Sequence, residues 1–238
     1  MHAVKPGIRP GATSATVNQR IPDVPDLRLC ELLAARICHD LVGPIGAISN
    51  GIELLDQDGG VADAEVVKLI GSSAQAASRR LQAYRVAFGS ANTLPSAGCI
   101  GAVRELALAL AGDGKVTIDW PPPTPEINAL TDKRVAKLIL NLVIIALDCM
   151  PRGGVVRVEF APAAKGVTAT VHCIGGPPRL TDEVRAGLEG VFDLDASTPK
   201  AAPAYVAACL AREVGAILAI TGDPANEFGI RVNISGRS

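Results

Sequence analysis

The chain has 238 residues, enough for one large domain or two modest ones with a real core. Charged residues make up 20% and the formal net charge is −1, so neither nucleic acid nor a membrane surface is an evident partner. Aromatics at 3% leave no stacking platform for single strands, while a hydrophobic fraction of 48% is high for a soluble monomer and points to apolar surface covered by a second copy or a partner.

Residues 1–25 carry Pro6, Pro10, Pro22 and Pro25 among Gly, Ser and Thr, and read as a disordered tail with no apolar leader. From Leu27, apolar residues recur at Cys30, Ala34, Ile37, Leu41, Ile45, Ile48, Ile52 and Leu55. Steps of three and four predict one long amphipathic helix, with Asp26 as its N-cap. Asp58-Gly59-Gly60 breaks that pattern, and a second stripe through Val66, Ile70, Ser73, Ala77, Leu81, Tyr84 and Phe88 predicts the return helix of an antiparallel hairpin over 26–92. A lone hairpin cannot bury both stripes. Two of them, one per subunit, make a four-helix bundle, so a homodimer is expected.

The pattern changes after Asn92 to Gly98, and 98–238 reads as a second, α/β domain. A helix over Ile100–Ala111 leads to a short strand, Lys115–Trp120, and a proline cluster from Pro121 to Pro125. Thr131-Asp132 starts a helix that runs to Cys149 and stops at Pro151 and Gly153-Gly154. Strands follow at Val155–Ala161 and Val167–Cys173, turning near Lys165-Gly166; then come a helix over Ala202–Val214 and closing strands at Ala216–Thr221 and Ile230–Ile234. Helices with antiparallel strands of this kind suit a two-layer sandwich, and the whole chain is α+β. Six cysteines without a C-x-x-C pair fit reduced, mostly packed thiols. The apolar stretch Leu138–Leu147 is too short for a bilayer, and a cytoplasmic protein is expected.

The segment that points to chemistry is Arg36-Ile37-Cys38-His39-Asp40-Leu41-Val42-Gly43-Pro44. At about 100° per residue, His39 lies about 200° from both Ile37 and Leu41, away from the apolar seam. Its face carries Ala35, Arg36, Val42, Gly43, Gly46 and Asn50. Each helical glycine costs about 1 kcal/mol relative to alanine, and Pro44 removes a backbone bond and should kink the helix. A purely structural helix gains nothing from these residues, whereas a helix that admits another protein's backbone close to an imidazole gains room.

His39-Asp40-Leu41 with Pro44 five residues on resembles the H-box, H-[ED]-L-x-x-P, of two-component histidine kinases. Val42 and Gly43 depart from its usual basic residue and Thr or Asn. The longer stretch Ile37 to Leu55, with its I-x-N-G-x-E-L-L ending, is more similar to the ChpT-type histidine phosphotransferases, which join a kinase-like hairpin to a degenerate ATPase-like domain. Asn141-Leu142 with Ile145-Ala146 resembles the kinase N-box, but Ile145 stands where a magnesium-binding Asn is expected, and isoleucine offers no oxygen to a hard cation. Cys173-Ile174-Gly175-Gly176-Pro177 falls on the D-x-G-x-G box with Cys173 in place of the adenine-reading Asp. The G-x-G-L-G lid has become Lys200-Ala201-Ala202-Pro203-Ala204.

The resemblance implies a phosphoryl carrier with no cofactor or metal of its own. His39 would take phosphate from the receiver domain of a hybrid histidine kinase and pass it to a response-regulator receiver, magnesium residing on the receivers. Bacterial cell-cycle control is the setting it suggests. Asp40 would steady the ring or favour its protonated form, Arg36 would contact the phosphate or a receiver acid, and Val42, Gly43, Gly46 and Asn50 would meet the docking partner. His172 reads as a partly buried core residue. An ATP-dependent kinase and a non-catalytic dimeric scaffold are the alternatives.

Overall fold

The computed structural model describes residues 24–57, 63–112, 114–163, 166–191, 193–223 and 226–235. Residues 1–23 of the expected tail (1–25) and the Asp58–Gly60 turn lie outside them, while Val24 and Pro25 belong to the first helix. Two long helices come first, α1 (Val24–Gln57) and α2 (Ala64–Ala87), then a single 3-10 turn at Ala91–Thr93. After these come α3 (Cys99–Ala111), β1 (Val116–Asp119), α4 (Pro125–Leu130), α5 (Lys133–Asp148), β2 (Gly154–Ala163) and β3 (Gly166–Ile174). The chain closes with α6 (Asp182–Leu188), α7 (Ala202–Glu213), β4 (Ile217–Asp223) and β5 (Glu227–Ser235).

The helix α1 begins before Asp26, so Asp26 lies inside it instead of capping it. It runs unbroken through Pro44, whose missing N–H leaves the Asp40 carbonyl without its helical donor. The return helix α2 starts on Asp63, whose side chain accepts from the Glu65 N–H at 2.8 Å. Gly51 sets how closely the two helices approach: a Cβ there would lie 2.6 Å from Cγ1 of Ile70. In the single chain Leu27, Ile45 and Ile52 of the α1 stripe and Leu81 of the α2 stripe remain exposed, as do Val67 and Leu69. By length and composition Leu27–Gln57 would qualify as a membrane span. The charged Arg36 and Asp40 near its middle are what a lipid-facing helix avoids.

The sheet has the order β1-β2-β3-β5-β4, with β1 parallel to β2 and every other pair antiparallel. The central helix α5 is buried along almost its whole length, Leu138, Ile139, Leu140 and Leu142 fully so. Its partners are α3, α7 and the sheet, and also α2. Tyr84, Val86 and Ala87 at the end of α2 therefore share one core with Ile100, Val103, Ile139, Val156, Val171 and Ile230. The hairpin and the sandwich that composition separates are welded at this point.

Two short helices, α4 and α6, lie where the sequence pattern assigns no element. In α4 the Thr124 hydroxyl accepts from the Ile127 N–H and Pro125 opens the helix; α6 repeats the device with Thr181 and Val184. Cys99, Cys149 and Cys173 are buried and Cys209 half-buried, but Cys30 and Cys38 are exposed on α1, so the packed-thiol expectation fails for those two.

Candidate functional site

The His39 side chain is 74% exposed and stands off α1. Its Nδ1 lies 3.1 Å from Oδ1 of Asp40, the next residue along the helix. That carboxyl is nearly buried and fully engaged. Its other oxygen, Oδ2, accepts from Arg36 Nε at 2.7 Å and from the Tyr84 hydroxyl of α2. Burial alone would push Asp40 upward, but the bonds from Tyr84 and His39, with the charge and bond of Arg36, hold its pKa below the usual aspartate value. It is an anion pointed at the imidazole. Tyr84 shifts the other way: burial and its bond to Asp40 push the phenol well above its normal value, so the hydroxyl stays a donor.

Arg36 corrects the helical-wheel placement. It lies three residues before His39, about 60° round the helix, yet its side chain is 6% exposed and turned to the end of α5. Its Nη2 lies 2.9 Å from Oδ1 and 2.8 Å from Oδ2 of Asp148, the last residue of α5. Burial opposes the Arg36 charge, but Asp148, then Tyr84 and Asp40, more than offset it and raise its pKa further. Arg36 is a structural clasp between hairpin and sandwich and is not free to meet a partner.

A cavity of about 230 Å³ opens beside this clasp, lined by Arg36, Asp40, Arg80, Tyr84, Lys115 and Asp148 among others. Val42, Gly43 and Asn50 are exposed and Gly46 half-buried. A Cβ at Gly43 or Gly46 would meet nothing within 4 Å, so their lack of side chains answers no need within this chain.

Tyr84 and Asp148 escaped the sequence reading, and both left a signal. A tyrosine in an apolar seam needs a partner for its hydroxyl. An acid in the last turn of a helix opposes the dipole, which marks it as held by a tertiary cation.

Several residues that fall on kinase nucleotide boxes are buried, though Gly175, Pro177 and Lys200 are exposed. Asn141 is fully buried, and its Nδ2 donates to the carbonyls of Ala87 at 3.0 Å and Lys137 at 2.9 Å, tying α5 to α2. Lys137 reaches the Gly89 carbonyl at 2.7 Å. Ile145 is buried, and the buried Cys173 thiol points at the Ala146 carbonyl. A Cβ at Gly176 would strike the Gly153 carbonyl, and Ala201, Ala202 and Ala204 are fully buried. No cluster of three or more His, Cys, Asp or Glu suited to a metal occurs among the described residues. His172 sits half-exposed on β3 with Nε2 3.5 Å from Oε2 of Glu159, on the sheet surface and not in the core.

An exposed imidazole on a helical hairpin, backed by an anchored carboxylate and welded to an α+β sandwich, defines a phosphotransfer protein of a phosphorelay. The profile of the histidine phosphotransferase C-terminal domain matches residues 101–226. The chain is 34% identical over 198 residues to the protein phosphotransferase ChpT of Brucella abortus (strain 2308), covering 82% of this chain and 90% of that relative. A solved bacterial phosphotransferase superposes with a TM-score of 0.71 at 30% identity, covering 87% of this chain and 96% of that one. The chain belongs to the histidine phosphotransferase family.

Proposed function

We propose that this phosphotransferase carries the phosphoryl group on Nε2 of His39. It takes the group from an aspartyl phosphate on the receiver of a hybrid histidine kinase and gives it to the receiver of a response regulator. The observation that carries this reading is the 74% exposure of His39 with, among the described residues, its Nδ1 side alone engaged, by Asp40. With the proton on Nδ1, the Nε2 lone pair attacks phosphorus in line. The P–O bond to the donor carboxylate breaks and its electrons stay on that carboxylate. Nδ1 keeps its proton, and the phosphoimidazolium charge rests against the Asp40 anion. The reverse sequence loads the acceptor.

Such transfer passes through a loose state in which positioning and charge neutralisation supply most of the rate. Neutralisation falls to the receiver's magnesium and lysine, and this chain supplies position. Val42, Gly43, Gly46 and Asn50 form the docking surface, where bare glycines let a receiver backbone approach. The exposed Ile45, Ile52, Val67 and Leu81 pair with a second copy in a homodimeric bundle. ATP has no role: the amide of Asn141 is committed to α2, Ile145 offers no metal ligand, and Cys173 is packed. The protein works in the cytoplasm, and bacterial cell-cycle control is the setting the family resemblance suggests.

The test is transfer of label from a phosphorylated receiver to wild type and to His39→Ala, beside incubation of each with labelled ATP and magnesium. Label from the receiver on wild type only, and none from ATP, is the expected pattern. ATP-derived label on His39 identifies a kinase instead, and equal phosphate loss from the donor with either protein identifies a scaffold.

A further inference from the structure

We propose that Tyr84 and the Asp148–Arg36 pair are positioning residues for phosphoryl transfer: by occupying Oδ2 of Asp40 they leave Oδ1 to hold His39 with its proton on Nδ1 and its Nε2 lone pair free. The inference rests on His39 being the carrier and adds what fixes the reactive form of its ring.

A neutral imidazole has two tautomers, and the hydrogen bond made by one nitrogen decides which is present. A ring with its proton on Nε2 has no lone pair there to attack phosphorus. An exposed histidine on a bare helix would sample both forms. Here the neighbouring carboxylate cannot turn away, because Oδ2 is held by Arg36 Nε at 2.7 Å from one turn upstream and by the Tyr84 hydroxyl from α2. Rotating the carboxylate breaks both bonds at once.

Arg36 is itself pinned from the sandwich by Asp148, at 2.8 and 2.9 Å. Residues of α1 and α2 thus meet at one oxygen, α5 bracing the first of them, and the oxygen left over lies 3.1 Å from Nδ1 of His39. The charged and titratable groups around Asp40 are Arg36 and His39 on α1, Arg80 and Tyr84 on α2, Lys115 before β1 and Asp148 on α5. Tyr84, His39 and Arg36 favour the Asp40 anion by hydrogen bonding and, for Arg36, by charge, while Asp148 faces Arg36. The sandwich, freed from nucleotide, acts on the histidine through this chain of contacts.

Tyr84→Phe removes only the hydroxyl, and Asp148→Asn loosens the clasp from a point that touches neither Asp40 nor His39. Full-length protein labelled with ¹⁵N-histidine reports the tautomer directly, with His39→Ala assigning the signals of this ring. The wild type should show the proton on Nδ1, and both variants a mixture with much of it moved to Nε2. Loading by potassium phosphoramidate, in which the P–N bond breaks and ammonia leaves, should slow about tenfold in each variant. Melting curves establish that each variant is folded, and if one is not, the other decides. Wild-type tautomer and loading rate in a folded variant overturn the positioning role while leaving the carrier reading intact. Failure of the wild type to load at His39 overturns the carrier reading whatever its tautomer.

Discussion

Arg36→Met tests the weld between hairpin and sandwich. Methionine keeps most of the stem's apolar bulk, so the perturbation is the loss of charge and donors. It strips Asp40 of one bond and Asp148 of its cation together. Two charge-assisted hydrogen bonds, each about 1.5–3 kcal/mol, set the upper range. Asp148 is 34% exposed, so water takes over part of its loss. The expected destabilisation is about 2–4 kcal/mol, below the full penalty for a wholly buried pair. Urea unfolding at fixed protomer concentration measures it, with unchanged slope confirming that the folded state kept its extent. The double variant Arg36→Met/Asp148→Asn should recover part of the loss, because no uncompensated acid remains at the end of α5. A single-variant loss under about 1 kcal/mol, or a double variant no better than Arg36→Met alone, would refute the clasp.

Asp40→Asn is the pH counterpart. The Asp40 pKa is depressed in the fold, so its stabilising contribution is full above the ordinary 3.8 and is lost as pH falls through the lower folded value. The stability gap between wild type and Asp40→Asn should be widest near neutrality and close in that acid window; a gap that widens with acid contradicts the sign. Gly46→Ala meets open space and should stabilise by roughly 0.5–1 kcal/mol while slowing transfer from a receiver. Gly51→Ala, whose Cβ runs into Ile70, should destabilise by about 1–3 kcal/mol. Thermal melts separate the two, and equal shifts would deny the close crossing at Gly51. Ile52→Glu with Leu81→Glu should convert a dimer to a monomer in light scattering; an unchanged mass would place the interface elsewhere.

The longer helices and the strands are legible within a few residues because their periods are set locally. What it could not reach was contact between distant segments. A helical wheel of α1 sees only the seam the hairpin makes with itself, so it placed Arg36 on the free face beside His39. The docking of α5 on that flank, through Asp148, is a tertiary event with no trace in the spacing of α1. Asp26 failed as a cap for a simpler reason: Val24 and Pro25 already fit a helix start, proline being tolerated in the first turn. Short helices such as α4 have too few turns for a periodic signal, and only their Thr-Pro and Thr-Asp-Glu openings reveal them.

The clasp also bears on what the sandwich does for the hairpin. Lys137, Asn141 and Asp148 lie at intervals along α5, and each ends on the hairpin or the turn that follows it: at Gly89, Ala87 and Arg36. A carrier whose partners bring the phosphate gains from holding one ring still. Polar residues of the central helix that tie two layers together serve that end. The two ties at Gly89 and Ala87 act on backbone carbonyls, and the third acts on the side chain that anchors Asp40. Cutting the first two should therefore cost stability alone, whereas cutting the third should cost stability and transfer together. Comparing Lys137→Met with Asp148→Asn in both measurements separates a structural tie from one that reaches the histidine, and parallel losses in both variants would remove the distinction.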